Sequence, residues 1–447
     1  MALEAQIRHL LRRTEYIARP ARVAALVGGT LAQAVDDILN VTTPVAIPGS
    51  IYATDNDWEQ YVAASQWWFD RMAFDSPRPI QEKMTFFWHG HFTSEWGKVE
   101  DTKMMMDQNK LYRDNAFGNF AGLAQAMAIQ PAMLVYLDNA SNIDGAPNQN
   151  FARELMELYL LGVGNYTEDD VEASARAWTG YSINDDTGAF VFRSSDHDSG
   201  NKTFFGHTGN WNGPDIITMI LNDKGAIAAR YIVGKLWNYF ATPVGPQPAA
   251  LDAIAASFRN DWQIKPVVRA LLLLPEFYDT PVTQGLVRTP VDFIVATMAL
   301  TGYRTDDLNP QWYTDAMGQV PFNPPNVSGW RPNAAWINTS SMGARAEFAG
   351  NVVNHLMNDN AYDWDALMIG PNNNPVSVDA AIDVAANLFA INPLSGPTRD
   401  GMRTFLNLER AAVDDPATED DWEGRNTWYE VSNLLQMALI APEMHLA

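Results

Sequence analysis

The chain has 447 residues, 47% of them hydrophobic, with 15 Trp, no Cys and a formal net charge of −23. That length and apolar content allow one large core or two ordinary ones without metal or disulfide support. The missing thiols exclude disulfide frameworks, thiolate zinc sites, iron–sulfur clusters and cysteine nucleophiles while leaving the compartment open, and the acidic balance argues against a nucleic-acid backbone or an anionic membrane surface as partner, because there is no basic surplus to displace counterions.

Met1 to Leu10 reads as an amphipathic helix without the apolar core of a signal peptide, so the chain is expected to be cytoplasmic as written, or exported if a leader was removed. Five arginines from Arg8 to Arg22, with Glu4 and Glu15 close by, are expected in salt bridges or caps rather than in an anion site. Pro20 opens a helix over 21–27, and Thr30 can cap another over 31–39 whose apolar residues share a face. A long helix is predicted over 58–74, with Trp58, Tyr61, Trp68 and Met72 at helical spacing as core aromatics and gap-fillers, and another over 80–88 behind Pro79. Further helices are expected over 104–109, 116–128, 151–161 and 169–179, with Thr167 and Asp170 forming a capping box.

The clear β signal is 181–183 and 190–192 around the turn residues Asp185-Asp186-Thr187-Gly188, a hairpin whose second arm leads to His197. From Pro214 the helical pattern returns near 215–221, 227–240, 251–258, 266–274 and 290–300. An irregular stretch over 322–338, with Pro324, Pro325, Gly329, Trp330, Pro332 and Trp336, has the length and composition of a lid or binding loop. Beyond 341, helices alternate with Asn- and Asp-rich connections such as 372–374 and 414–421, read as solvated turns. No run approaches the roughly 18 apolar residues of a membrane span. The expected architecture is mainly α, a single large multi-helix domain over 1–447 with a small β-hairpin insertion near 181–198, any subdivision falling near 205–213.

Three segments carry residues suited to chemistry. His89 and His91 lie two apart in an aromatic segment. If the helix runs through them, their side chains point roughly 200° apart and cannot share a small ion; if Gly90 ends it in an extended turn, both fall on one side as ligands for a divalent metal. Structural histidines bonded to carbonyls or carboxylates are the competing reading. Over 150–158, Asn150, Arg153, Glu154 and Glu157 form a stripe opposite Phe151, Leu155 and Leu158. A solvated face explains that stripe, and so does a site helix with Glu154 and Glu157 as paired carboxylates. His197, Asp198 and Lys202 offer an imidazole, a carboxylate and a cation in a loop that either borders a cleft or is simply exposed. There is no nucleophile elbow, phosphate loop, dinucleotide fingerprint or His-Glu-x-x-His helix.

In combination, His9–Arg13, Phe86–Phe92, Pro131–Asn139, Asn148–Gly162, Tyr166–Val171, His197-Asp198 with Lys202-Thr203, and Pro324–Trp330 resemble the bacterial family called domain of unknown function 1800, over nearly the whole chain. The resemblance implies a predominantly helical fold and a bacterial source, with no established reaction to carry across. It also implies a frequently exported protein encoded beside phosphatase- or sulfatase-like proteins, one of which would be a partner in a shared process. The chain departs from the family pattern in showing no leader, in having Gln149 in place of a Glu, and in having Thr14–Ile17 in place of a Gly-Phe-Gly-like turn. The family's polar signature falls on His89, His91, Asn148, Asn150, Arg153, Glu154, Glu157, His197, Asp198 and Lys202.

The expectation is therefore a hydrolytic, metal-assisted enzyme acting on a sugar-like or anionic small molecule. Glu154, Glu157, His197 and Asp198 would be catalytic, Asn148, Asn150, Arg153, Lys202 and Trp330 would hold substrate, and His89 and His91 would bind the metal. The alternative is a non-catalytic binding or scaffold protein of an exported assembly, in which the same side chains form a buried structural network.

Overall fold

The structure is a computed structural model describing residues 1–41, 44–283, 285–359, 361–368, 376–413 and 422–447; the expected turns at 372–374 and 414–421 lie outside these. The fold is mainly α-helical, with two small antiparallel hairpins. Pro20–Leu26 starts on its proline, Thr30 and Gln33 form a full capping box ahead of Leu31–Ile38, and Thr167 with Asp170 does the same for Glu168–Ala177. Each cap satisfies backbone N–H groups that a helix start leaves unpaired.

The expected 58–74 helix is Asp57–Asp70 followed by a π-helical turn, Arg71–Asp75. Tyr61, Trp68 and Met72 are buried in the core, whereas Trp58 is 57% exposed. It sits in the first turn, outside the stacked pair of Tyr61 and Trp96, whose rings are 4.5 Å apart. The 151–161 helix divides in the same way, into Asn150–Glu154 and a π segment, Leu155–Leu160. The start expected at 116 shifts to Phe120, because Asn119 caps Gly122 N–H and leaves 116–118 as a turn.

β1 (Tyr181–Ile183) pairs antiparallel with β2 (Phe190–Phe192) as the expected hairpin, with Tyr181 opposite Phe192. A second hairpin, β3 (Lys202–Phe204) with β4 (His207–Gly209), turns through Phe205 and Gly206, both at positive φ. Its strands carry little of the aromatic and β-branched pattern of the first hairpin and its turn lacks the Asp-rich signal, so Gly206 was its one turn cue.

A continuous apolar cluster runs from the first helix to the C-terminal helices, with Trp68, Trp88 and Trp178 fully buried in it. Pro79–His91 is its central strut: it packs against Leu3–Glu15 and Thr102–Asp114, and its buried residues include Glu82, Lys83, His89 and His91. Among the described residues, no helix is long and apolar enough to cross a membrane.

Candidate functional site

The helix Pro79–His91 runs through Gly90 and takes in both histidines, so the helical case of the sequence argument holds and their imidazoles diverge. His89 Nε2 accepts the backbone N–H of Phe322 at 3.0 Å, and Phe322 in turn accepts from Trp96 N–H at 2.8 Å. His91 Nε2 bonds the Tyr159 carbonyl at 3.0 Å. That carbonyl lies in the last turn of the π segment, where no intrahelical partner remains, and Tyr231 caps the neighbouring Leu158 carbonyl at 2.9 Å.

The two imidazoles therefore hold opposite protons. Phe322 N–H can only donate, so His89 Nε2 carries a lone pair; the Tyr159 carbonyl can only accept, so His91 Nε2 carries the hydrogen and Nδ1 the lone pair. His91 Nδ1 is buried and has no protein partner. Burial lowers both groups, His89 to about 3 and His91 well below its ordinary value, with the Lys235 charge adding to the effect on His91, so both are neutral near pH 7.

Most other residues singled out in the sequence make contacts away from the histidines. Arg153 forms a two-armed ion pair with Glu168 at 2.7 and 2.8 Å. Glu157 accepts from the Tyr166 hydroxyl. Glu154 is half-buried and raised, first by desolvation and then by Glu157, which keeps the two carboxylates within electrostatic reach of each other. Asn148 Oδ1 accepts Asn150 N–H at 2.9 Å, and the Asn150 amide reaches the Leu137 carbonyl at 3.3 Å.

The hairpin loop forms its own knot. His197 Nδ1 donates to the Thr179 carbonyl at 2.8 Å, and Arg176 binds Asp198 at 2.6 Å. The buried Lys202 ammonium is spent on the carbonyls of Asp198 and Gly200. Among the described residues, no group of three or more His, Asp or Glu is placed to hold a metal ion.

What does converge lies beneath the loop over 322–338. The Trp330 ring stacks on Phe86 at 5.0 Å and 13° and meets His89 edge-on at 5.3 Å. Under it is a cavity of ≈300 Å³, at the small end for ligand sites. Phe86, Phe87, Gly90 and His91 form its floor; Lys235, Asn238 and Tyr239 from Gly225–Phe240 form one wall. Thr289 and Asp292 at the start of Pro290–Thr301 form another wall, and Trp330, Arg331 and Trp336 form the roof. The indole N–H groups of Trp330 and Trp336 are buried without a protein partner.

Behind this cavity the charge balance reverses that of the whole molecule. Asp292 pairs with Lys83 at 2.7 Å and is the carboxylate whose charge acts on Arg13, Arg288 and Arg345. These guanidiniums bond mainly backbone carbonyls: Arg13 that of Ala241, Arg288 that of Met444, and Arg345 that of Arg288. Four buried cations thus share one carboxylate. Desolvation lowers Arg13 to about 9 and both Arg288 and Arg345 to about 10, values that still leave all three charged at neutral pH.

The sequence model of the family described as "Protein of unknown function (DUF1800)" matches residues 9–446. The chain belongs to this family. No curated protein and no solved structure matches it. Of the positions that suggested the DUF1800 resemblance, Phe86, Phe87, Gly90, His91, Ser328 and Trp330 line the cavity, and His89 supports its roof through Phe322 and Trp330. Of the other lining residues, Lys235, Asn238, Tyr239 and Asp292 lie inside helices whose sequence reads as ordinary amphipathic packing.

Proposed function

We propose that the protein is an enzyme that binds a small anionic molecule with a flat or hydroxylated body in the cavity beneath Trp330 and acts on it with His91 as general base. The observation that carries this reading is the concentration of positive charge, four buried cations against Asp292, behind an aromatic cavity in a chain of net charge −23. A low-dielectric cavity with such a backing favours an anion. The aromatic lining of Phe87, Tyr239 and Trp336 beside the stacked Phe86–Trp330 pair suits a flat body, and the unpartnered indole N–H groups of Trp330 and Trp336 suit its oxygens. His91 Nδ1 carries a lone pair without a protein partner, the acceptor a general base needs, and hydrolysis follows where that lone pair takes a proton from water. This reading uses no metal step.

The alternative, a binding or scaffold protein, is supported by the Arg176–Asp198–Lys202 knot, whose groups are consumed by mutual contacts. Calorimetry with salicylate, at low and high salt, separates the outcomes. We expect one saturable site, weakened at least tenfold in Trp330→Ala and weakened by salt. A screen of small carboxylate, phosphate and sulfate esters should then show turnover that His91→Gln abolishes while salicylate binding persists. Binding indifferent to Trp330→Ala would remove the cavity from consideration, and binding without any turnover dependent on His91 would leave the scaffold reading.

A further inference from the structure

The chain has eight lysines. Lys83, Lys98, Lys103, Lys110 and Lys202 each face a carboxylate within 4 Å. Lys224 and Lys265 border solvent, one lying over the Phe205 ring and the other exposed near Asp36. Lys235 differs from all of these. It lines the cavity beneath Trp330 together with His91 and Tyr239, and it also lines the more open groove formed by Leu161, Tyr231 and Gln247. Among the described residues it has no ion pair and no hydrogen bond; its neighbour is the Tyr231 ring, 5.3 Å from Nζ. In an acidic protein with carboxylates to spare, an amine held in an aromatic cavity without a counter-ion is suited to reacting rather than to pairing.

We propose that Lys235 is a nucleophilic amine that captures an aldehyde or ketone bearing an anionic group, forming an imine in the cavity. The inference rests on the reading of that cavity as an anion site and goes beyond it by naming the substrate class. The Nζ lone pair forms a bond to the carbonyl carbon as the C–O π bond breaks. Both amine protons pass to that oxygen, one of them through His91 Nδ1; the nitrogen lone pair then closes the C=N bond as the remaining C–O bond breaks and the oxygen leaves as water, with nothing oxidised or reduced. Arg331, which lines the cavity, meets the anionic end, the field of the buried cations behind Asp292 favours it, and the groove that Lys235 also lines gives the substrate its approach.

Geometry and titration agree on this. Desolvation lowers Lys235 to about 8, so near pH 8 roughly half of it is free amine, against well under one hundredth of an ordinary lysine. The probe is pyridoxal 5′-phosphate, an aldehyde carrying an anion, followed by borohydride reduction and peptide mapping of the full chain. We expect one adduct, on Lys235, formed roughly a hundredfold faster than at exposed Lys103 or Lys265, with a pH midpoint near 8. It should be absent in Lys235→Arg and suppressed by salicylate. Labelling spread evenly over the exposed lysines with Lys235 untouched, while salicylate still binds, overturns the imine and leaves the anion cavity standing. Loss of both labelling and salicylate binding overturns both.

Discussion

Glu82 shows what a single residue contributes when burial removes water. Its side chain is 0% exposed, it bonds Arg113 through both oxygens and Arg71 through one at 2.6 Å, and the Trp68 indole donates to it at 3.0 Å. Burial pushes its carboxyl up, but the two guanidiniums outweigh that and hold it below the usual carboxylate range. Glu82→Gln keeps the volume and strands two guanidiniums without a counter-ion, so the expected loss is about 3–5 kcal/mol of unfolding free energy by urea titration. A loss under about 1 kcal/mol would mean that water reaches the pair. None of this was legible in the sequence: the partners stand 11 and 31 positions from Glu82. The same holds for Lys235 and Asp292, whose meaning comes from what faces them. The histidine pair was legible as a choice between two backbones, and only the helix running on through Gly90 decided it.

At the scale of elements, the sequence told most where capping chemistry is local. Proline and Thr start signals placed helix after helix to within a few residues, and the first hairpin formed where its strands and turn were read. It told least where a long-range bond shapes the backbone, as in the π turn that leaves the Tyr159 carbonyl for His91. The Trp330 loop was visible as a loop, and its docking onto the histidine helix was not. That docking depends on Gly329, at φ +76°, where an added Cβ would stand 2.3 Å from the Gly90 carbonyl oxygen. Gly329→Ala therefore combines left-handed strain with a backbone clash and must lift the loop. The expected result is a loss of about 1–3 kcal/mol in thermal or urea unfolding, unchanged far-ultraviolet circular dichroism, and at least tenfold weaker salicylate binding. Retained binding would mean that the roof closes without this contact.

Over the whole molecule, the buried histidines couple stability to acidity. His9 and His445 resemble the central pair in lying buried and each bonding through one ring nitrogen, His9 to the Phe277 carbonyl and His445 to Arg345. Burial, followed by nearby arginines, lowers His9 to about 2 and His445 to about 3; burial lowers His89 to about 3, and His91 also falls well below its ordinary value. In the unfolded chain each titrates near 6.5. The unfolded state therefore takes up protons first as pH falls. The stability due to the four neutral rings is complete above about pH 7 and is lost from roughly pH 6.5 down towards 3, at about 1.4 kcal/mol per pH unit for each ring. By pH 5 the four together remove roughly 8 kcal/mol, comparable to the whole stability of an ordinary domain. Acid unfolding should thus begin between pH 6 and 5, before most carboxylates titrate. Urea midpoints measured at pH 8, 7, 6 and 5 should fall steeply below 7, and His89→Gln, whatever it costs at pH 8, should flatten that fall by about 1.4 kcal/mol per unit. Equal midpoints at pH 7 and 5 would show that the native rings take up protons as readily as the unfolded ones, and the neutral His91 on which the proposed chemistry relies would go with them.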